Sequence, residues 1–243
     1  MNRLIVLQHL EREGPGLFLK IAKERELSVC IFRLDLGDPL PELIDGDFLL
    51  VLGGPMGIKD IGNPHYPWLI EEVDLIKEAI NQNVSIVGVC LGAQLLAYAA
   101  GGDVELLEGG NPPRPLAEIG WDVIFSQKIG KKNQLITLLP EPMHVLHWHG
   151  DRILLPKTAD LIASSSRCRE QLFRIAPLAF GLQFHIEIDD EMVFRWIEED
   201  HQFISLNLGK DAPSMLKKQQ NEYGKNTLKA RLRLLNKLFD LLN

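Results

Sequence analysis

Two kinds of segment alternate through the N-terminal half of this chain, and the alternation restricts its fold more than any other feature. Leu4–Leu7, Ser28–Leu34, Phe48–Leu52 and Val84–Val89 are short runs rich in β-branched residues. Several are apolar at successive positions, the pattern of strands covered on both faces. Phe18–Glu26, Pro67–Asn83 and Leu91–Ala100 instead carry helical spacing. In the middle segment Trp68, Leu69, Val73, Ile76 and Ile80 form one stripe, with Glu71, Glu72, Asp74, Lys77 and Glu78 expected to face mostly away. Pro67 suits a first-turn position. Strands alternating with helices predict βαβ units in a three-layer α/β fold, its central sheet mostly parallel and flanked by helices.

The second half changes character. Gly109–Pro115 is a turn-rich break. Trp121–Phe125, Val145–Trp148, Leu161–Ser164, Gln171–Ile175 and Ala179–Phe184 then follow closely, without long helices between them. Such spacing predicts antiparallel strands at one sheet edge. Glu191–Asp200 reads as a helix, the polar stretch 205–224 takes no assignment, and Asn226–Leu242 reads as a basic amphipathic helix. Its stripe is Leu228, Leu232, Leu235, Leu238, Phe239 and Leu242. The expected organisation is a main domain over 1–190 and a helical C-terminal extension over 191–243 packed on it. An oligomer or partner contact is the other use for the last helix.

Composition removes several classes. With 46% hydrophobic and 24% charged residues, the 243-residue chain is neither disordered nor fibrous. Its net charge of −7 disfavours nucleic acid and anionic membranes. Met1 leads straight into the short run Arg3–Leu7 and then into charged residues, so no secretory leader is expected. No apolar run approaches the roughly 20 residues of a membrane span. The three cysteines, Cys30, Cys90 and Cys168, are odd in number and not spaced as zinc ligands. A cytoplasmic protein with reduced thiols and no cofactor is expected.

Chemistry concentrates at Gly88-Val89-Cys90-Leu91-Gly92, between an apolar strand and a helix. That is the setting of a nucleophile elbow, with cysteine in place of serine. A sharp turn strains the nucleophile's backbone, and the two glycines permit the close approach this needs. The sulfur should stand above the C-terminal sheet edge, where α/β proteins bind ligands. The helix N-terminus behind it favours a thiolate and can receive a developing oxyanion. A buried strand-end thiol is the bland alternative. Cys30 is expected in the core, and Cys168, between Arg167 and Arg169 in a polar turn, lacks such an elbow.

A cysteine nucleophile needs a base, and seven histidines compete. His185 in Gly181-Leu-Gln-Phe-His-Ile-Glu187 is the best placed, at the end of an apolar strand. Glu187 at i+2 would point the same way in extended backbone and could fix the imidazole's tautomer. His147-Trp148-His149-Gly150-Asp151 is the rival. As a metal pair, His147 and His149 would need a third ligand from Asp151 or elsewhere, and the spacing specifies none, so no metal is expected and a substrate-contacting loop is preferred. Leu52-Gly53-Gly54-Pro55-Met56-Gly57 follows a strand and should expose backbone N–H groups at the same edge. By itself it is an ordinary Gly-Pro turn.

In this order, Gly53-Gly54-Pro55, Gly88-Val-Cys90-Leu-Gly92-Ala-Gln94 and Phe184-His185-Ile-Glu187 resemble the class I glutamine amidotransferases. The resemblance spans roughly residues 40–190. Within the family it is nearest to GMP-synthase-type glutaminase domains and their stand-alone relatives, which carry a similar His-Gly-Asp loop. It implies that Cys90 attacks the glutamine side-chain amide, that His185 shuttles the proton, and that Glu187 orients it. N–H groups near Gly54 and Leu91 would hold the oxyanion. Gly53, Gln94, Gly150 and Asp151 would contact the bound glutamine.

The pattern departs from the family at Ile186, where proline is usual between the histidine and glutamate. The roughly 50 residues after Glu187 are too few for a synthase domain. The expectation is a stand-alone glutaminase, working alone or delivering ammonia to a separate synthase subunit. A γ-glutamyl peptidase would use the same acyl group, with its leaving-group side around Gly109–Glu118 and His147–Asp151. A catalytically silent binding subunit is the third reading.

Overall fold

The structure, a computed structural model, describes residues 3–127, 135, 140 and 142–242. Its strands are β1 (Arg3–Gln8), β2 (Ser28–Arg33), β3 (Asp47–Val51), β4 (Ser85–Val89), β5 (Asp103–Leu106), β6 (Glu108–Gly109), β7 (Arg114–Pro115), β8 (Glu118–Ser126), β9 (Met143–His149), β10 (Asp151–Leu154), β11 (Asp160–Ser164), β12 (Leu172–Ala176) and β13 (Ala179–Leu182). Its helices are α1 (Gly16–Glu24), α2 (Leu69–Asn81), α3 (Leu91–Ala99), α4 (Asp190–Glu199), α5 (His201–Leu208) and α6 (Ala212–Leu241). Among the described residues, nine strands form one sheet in the order β2-β1-β3-β4-β13-β12-β11-β8-β9. The ladders from β2 to β13 are parallel and those from β13 to β9 antiparallel. The expected α/β architecture with one antiparallel flank is therefore the observed one.

Both faces of the parallel half are buried, and successive residues divide between them. Leu4, Val6, Phe48 and Leu50 meet α1 and α6, whereas Ile5, Leu7, Leu49 and Val51 meet α2 and α3. This is the period-2 consequence of strand geometry, and it makes three layers. Phe18, Phe48 and Phe239 join α1, the sheet and α6 through ring centroids 4.9–6.5 Å apart. Over the antiparallel half, Trp196, Ile197, Ile204 and Leu216 from α4, α5 and α6 pack on Trp121 and Leu146.

Four expectations change. Cys30 is only half buried, because β2 is the sheet's edge strand. Helix α2 starts at Leu69 with Trp68 as its N-cap, so Pro67 lies before the helix. Glu72 does not face away; it is fully buried. The unassigned stretch 205–224 is helical except at Gly209–Asp211, since α5 runs to Leu208 and α6 starts at Ala212, well before Asn226. Its early turns bury few apolar side chains, so polar sequence concealed them. The buried stripe of α6 includes Arg231, Leu234 and Leu235, with Leu228 and Leu232 on its flank.

Candidate active site

The turn from β4 into α3 puts Cys90 at φ +53°, ψ −108°, a conformation that L-residues rarely adopt. Two close approaches hold it there. A Cβ on Gly92 would strike the Val51 backbone, and one on Gly88 the Gly92 backbone. The Cys90 N–H donates to the Leu182 carbonyl at 2.8 Å and the Gly92 N–H to the Leu52 carbonyl at 3.1 Å. The elbow is thus tied to both neighbouring strands, β13 and β3. Cys90 is 8% exposed and lines a cavity.

His185 comes from the segment after β13. Its Nδ1 lies 2.7 Å from Glu187 Oε1, and His185 lines the same cavity as Cys90, whose Sγ lies 4.0 Å from the Trp148 carbonyl. Burial pulls the imidazole down, but the Glu187 carboxylate and the Cys90 side chain outweigh it and hold His185 well above its ordinary value. Trp196 stacks edge-on against the ring, with centroids 4.7 Å apart. Ile186, the residue that departs from the resembled pattern, donates its N–H to Glu187 Oε2 at 2.9 Å. The Arg231 guanidinium on α6 donates to the carbonyls of Ile186 and Ile188 at 3.2 and 2.6 Å. Burial brings that arginine down to about 10.

The Gly53–Gly54 turn follows β3 on the other side of the elbow. The Gly53 carbonyl accepts from His9 Nδ1 at 3.1 Å, and His9 Nε2 lies 2.8 Å from Glu72 Oε1. Both ring neighbours present oxygens, so a doubly protonated His9 satisfies the two together and pairs with Glu72. Burial opposes that charge, but Glu72 and the Gly53 carbonyl prevail and raise His9 above its ordinary value. In a trans peptide the C=O of one residue and the N–H of the next point in opposite directions. Anchoring the Gly53 carbonyl on His9 therefore sets the direction of the Gly54 N–H. Leu91 opens α3, so its N–H is among those that lack an intrahelical acceptor.

A cavity of about 450 Å³ opens over these groups. Cys90, His185, Gly54, Leu91, Gln94, Gly150 and Asp151 line it, so the expected residues converge. Gly53 stands behind them, and Glu187 is reached through His185. Gln94 donates to Gln183 at 3.4 Å, and Gln183 donates to Cys90 Sγ at 3.8 Å. No residue of 109–118 lines the cavity; Leu106, Met56 and Phe203 form its apolar wall instead.

Trp148 and His149 of the expected substrate-contacting loop are in the lining, and sequence reading missed Arg12, Glu13, Trp196 and Asp200, also in the lining. Arg12 and Glu13 follow β1 at the ligand-binding edge of the sheet, a signal that was available. Asp200 and Trp196 come from the helices after Glu187, where only the tertiary structure brings them in. Arg12 donates to Asp200 at 2.7 Å, and its buried Nε has no hydrogen-bond partner. Burial raises the Glu13 carboxyl, although His185 and Arg12 act against the shift. Asp200 also accepts from Trp148 Nε1 at 2.8 Å. Cys168 is buried and its thiol is pushed up to about 12, the opposite of activation by its flanking arginines. Burial likewise lowers His147 to about 4.

Comparison with known proteins gives one answer at the family level. The family described as glutamine amidotransferase class-I matches residues 18–192. The glutamine amidotransferase-like protein YfeJ of Salmonella typhimurium is 30% identical over 211 residues, 86% of this chain and 85% of that protein. Gamma-glutamyl peptidase 4 of Arabidopsis thaliana is 28% identical over 132 residues, 54% of this chain and 51% of that protein. The crystal structure of a glutamine amidotransferase from Thermotoga maritima superposes with a TM-score of 0.82 at 27% identity, covering 98% of this chain and 97% of the other.

Proposed function

This chain is a member of the glutamine amidotransferase class-I family, and on that premise we propose that it hydrolyses the side-chain amide of glutamine through a Cys90 thioester. One observation carries the reading: Cys90 and His185 line one open cavity, and His185 is paired with Glu187 at 2.7 Å. The Cys90 sulfur attacks the amide carbon while His185 holds the thiol proton. The oxyanion is received by the N–H groups of Gly54 and Leu91. Collapse breaks the C–N bond, and His185 passes its proton to the leaving nitrogen, releasing ammonia. Water, deprotonated by His185, then cleaves the thioester to glutamate and restores the thiol. Glu187 keeps the imidazole oriented and stabilises its charged form.

The cavity also suits the other end of the substrate. A γ-glutamyl group ends in an α-carboxylate and an α-ammonium. Arg12 offers a buried Nε–H that makes no hydrogen bond and lies 3.9 Å from Glu13 Oε1, and Glu13 and Asp200 offer carboxylates beside it. The assay is glutamate release from glutamine by wild type and by Cys90→Ala. Loss of release in the variant is expected; equal rates would end this reading.

A second reading keeps the triad and enlarges the leaving group. Leu106, Met56 and Phe203 add apolar wall beyond what ammonia requires. γ-Glutamyl peptides or conjugates would use that wall, and a panel of them against glutamine decides between the two. Delivery of ammonia to a separate synthase subunit would appear as activation of glutaminase turnover by that subunit.

A further inference from the structure

The antiparallel register of β8 and β9 builds a second cluster behind the catalytic cavity. Glu118 lies directly opposite His149 across the ladder, and His147 lies two residues before His149 on the same face. His149 Nε2 and His147 Nδ1 both approach one atom, Glu118 Oε2, at 3.1 and 3.7 Å. The three ligand-type atoms all lie within 4.8 Å of one another, and all three residues are buried.

Two features of this cluster call for a cation. His149 Nδ1 donates to the Asp151 carbonyl at 2.8 Å, so in the neutral ring Nε2 presents a lone pair to a carboxylate oxygen. Gln171 Nε2 lies 3.5 Å from that nitrogen and 2.7 Å from Glu118 Oε2, and a positive charge between nitrogen and oxygen would relieve their contact at 3.1 Å. A ring whose second nitrogen is held by a backbone carbonyl is also how proteins orient a metal-binding histidine. The other feature is His147, which is 1% exposed and has no hydrogen bond at either ring nitrogen. A buried polar atom without a hydrogen-bond partner is destabilising, and a ligand that engages it removes that cost.

We propose that Glu118, His147 and His149 form a binding site for a divalent transition-metal ion, with zinc the best match. The spacing fits. Two ligands each about 2.1 Å from zinc at a tetrahedral angle are separated by about 3.4 Å, and the observed 3.1 and 3.7 Å straddle that value. A His₂-carboxylate set is a borderline-soft donor group suited to zinc rather than magnesium or calcium. A fourth ligand stands ready in Gln171. Its Nε2 lies 2.7 Å from Glu118 Oε2 and its buried Oε1 has no partner. A half-turn of the carboxamide brings that oxygen to the cluster. Asp151, the third ligand considered from sequence, contributes only its carbonyl, and as a second-layer partner. His149 lines the catalytic cavity and so provides the way in. A bound ion would brace the start of β8 and the end of β9, from which Gly150 and Asp151 enter the cavity wall.

The test uses the full chain carrying Cys90→Ser, so that the reactive thiol does not bind the metal instead. After treatment with chelator it is titrated with Zn²⁺ and, separately, with Co²⁺. One equivalent should bind, Co²⁺ should show the strong visible absorption of a tetrahedral site, and Zn²⁺ should raise the melting temperature with concentration. His147→Gln and His149→Gln should each weaken binding at least tenfold. X-ray absorption at the zinc edge needs no site variant and should show nitrogen and oxygen at about 2.0–2.1 Å without sulfur. No binding, binding unchanged in both histidine variants, or sulfur in the zinc shell would overturn the site.

Discussion

The backbone N–H of Ile186 donates to Glu187 Oε2 at 2.9 Å, and a proline at that position has no N–H to give. The departure from the family pattern thus supplies a donor to the carboxylate that orients His185. Hydrogen bonds to charged groups are worth about 1.5–3 kcal/mol. In Ile186→Pro we expect kcat for glutamine to fall several-fold with KM little changed, and Ile186→Val to stay near wild type. Equal kcat in the proline variant would show that the donor is dispensable.

Arg231 supports the same segment from the C-terminal helix. Its guanidinium is buried and donates to the carbonyls of Ile186, Ile188 and Gly224. Arg231→Met leaves those carbonyls without a donor. The expected cost is about 2–5 kcal/mol in urea unfolding, with a lower kcat because the His185–Glu187 segment loses its brace.

His9 and Glu72 are a buried pair, each side chain 0% exposed. His9→Leu alone strands a buried carboxylate and should cost about 3–5 kcal/mol. The double variant His9→Leu/Glu72→Leu removes both charges and should recover most of that stability. It should nevertheless stay slow. Loss of one oxyanion donor costs about 10²–10³ in kcat, and a misaimed Gly54 N–H should cost at least tenfold, with KM little affected. A stable double variant with wild-type kcat would reduce His9 to a structural role.

The raised His185 value makes stability depend on pH in a defined direction. A group whose value is higher in the folded state contributes fully below its unfolded value, about 6.5, and loses that contribution as pH rises through the folded one. Glu187→Gln removes the main charge that holds His185 up. The stability gap between wild type and Glu187→Gln should therefore be widest near about pH 6 and shrink towards about pH 9. Urea unfolding at the two pH values measures it; a gap that widens with pH would contradict the pairing.

Glu13 lies against Gly53 in the cavity and is proposed to meet the substrate's α-ammonium. Glu13→Gln keeps the shape and removes the charge. Its KM for glutamine should rise about tenfold with a smaller change in kcat, the mark of binding lost equally from ground and transition states. A change confined to kcat would place Glu13 with the reacting atoms instead.

The strands and the elbow were legible in sequence because their determinants are local. Leu4–Leu7 and Phe48–Leu52 announce strands buried on both faces. Gly88 and Gly92 announce a turn too tight for any Cβ, with Cys90 at its apex. His185 and Glu187 could be paired because a two-residue step in extended backbone keeps side chains together. Helix α6 was half hidden, because its early turns bury few apolar residues and instead bury the polar Gln220, which periodicity does not count.

Sequence by itself determined the sheet, the nucleophile's turn and the candidate triad, each set by backbone sterics or by a period of two or 3.6 residues. Only the tertiary structure decided that Glu72, assigned to an outer helix face, lies under the Gly53–Gly54 turn against His9. It also decided that Asp200 closes the cavity on Arg12, and that Glu118 stands opposite His149. Those pairings span 63, 188 and 31 positions of chain. Separations of that length leave no local pattern, because the contact is chosen by how the layers pack.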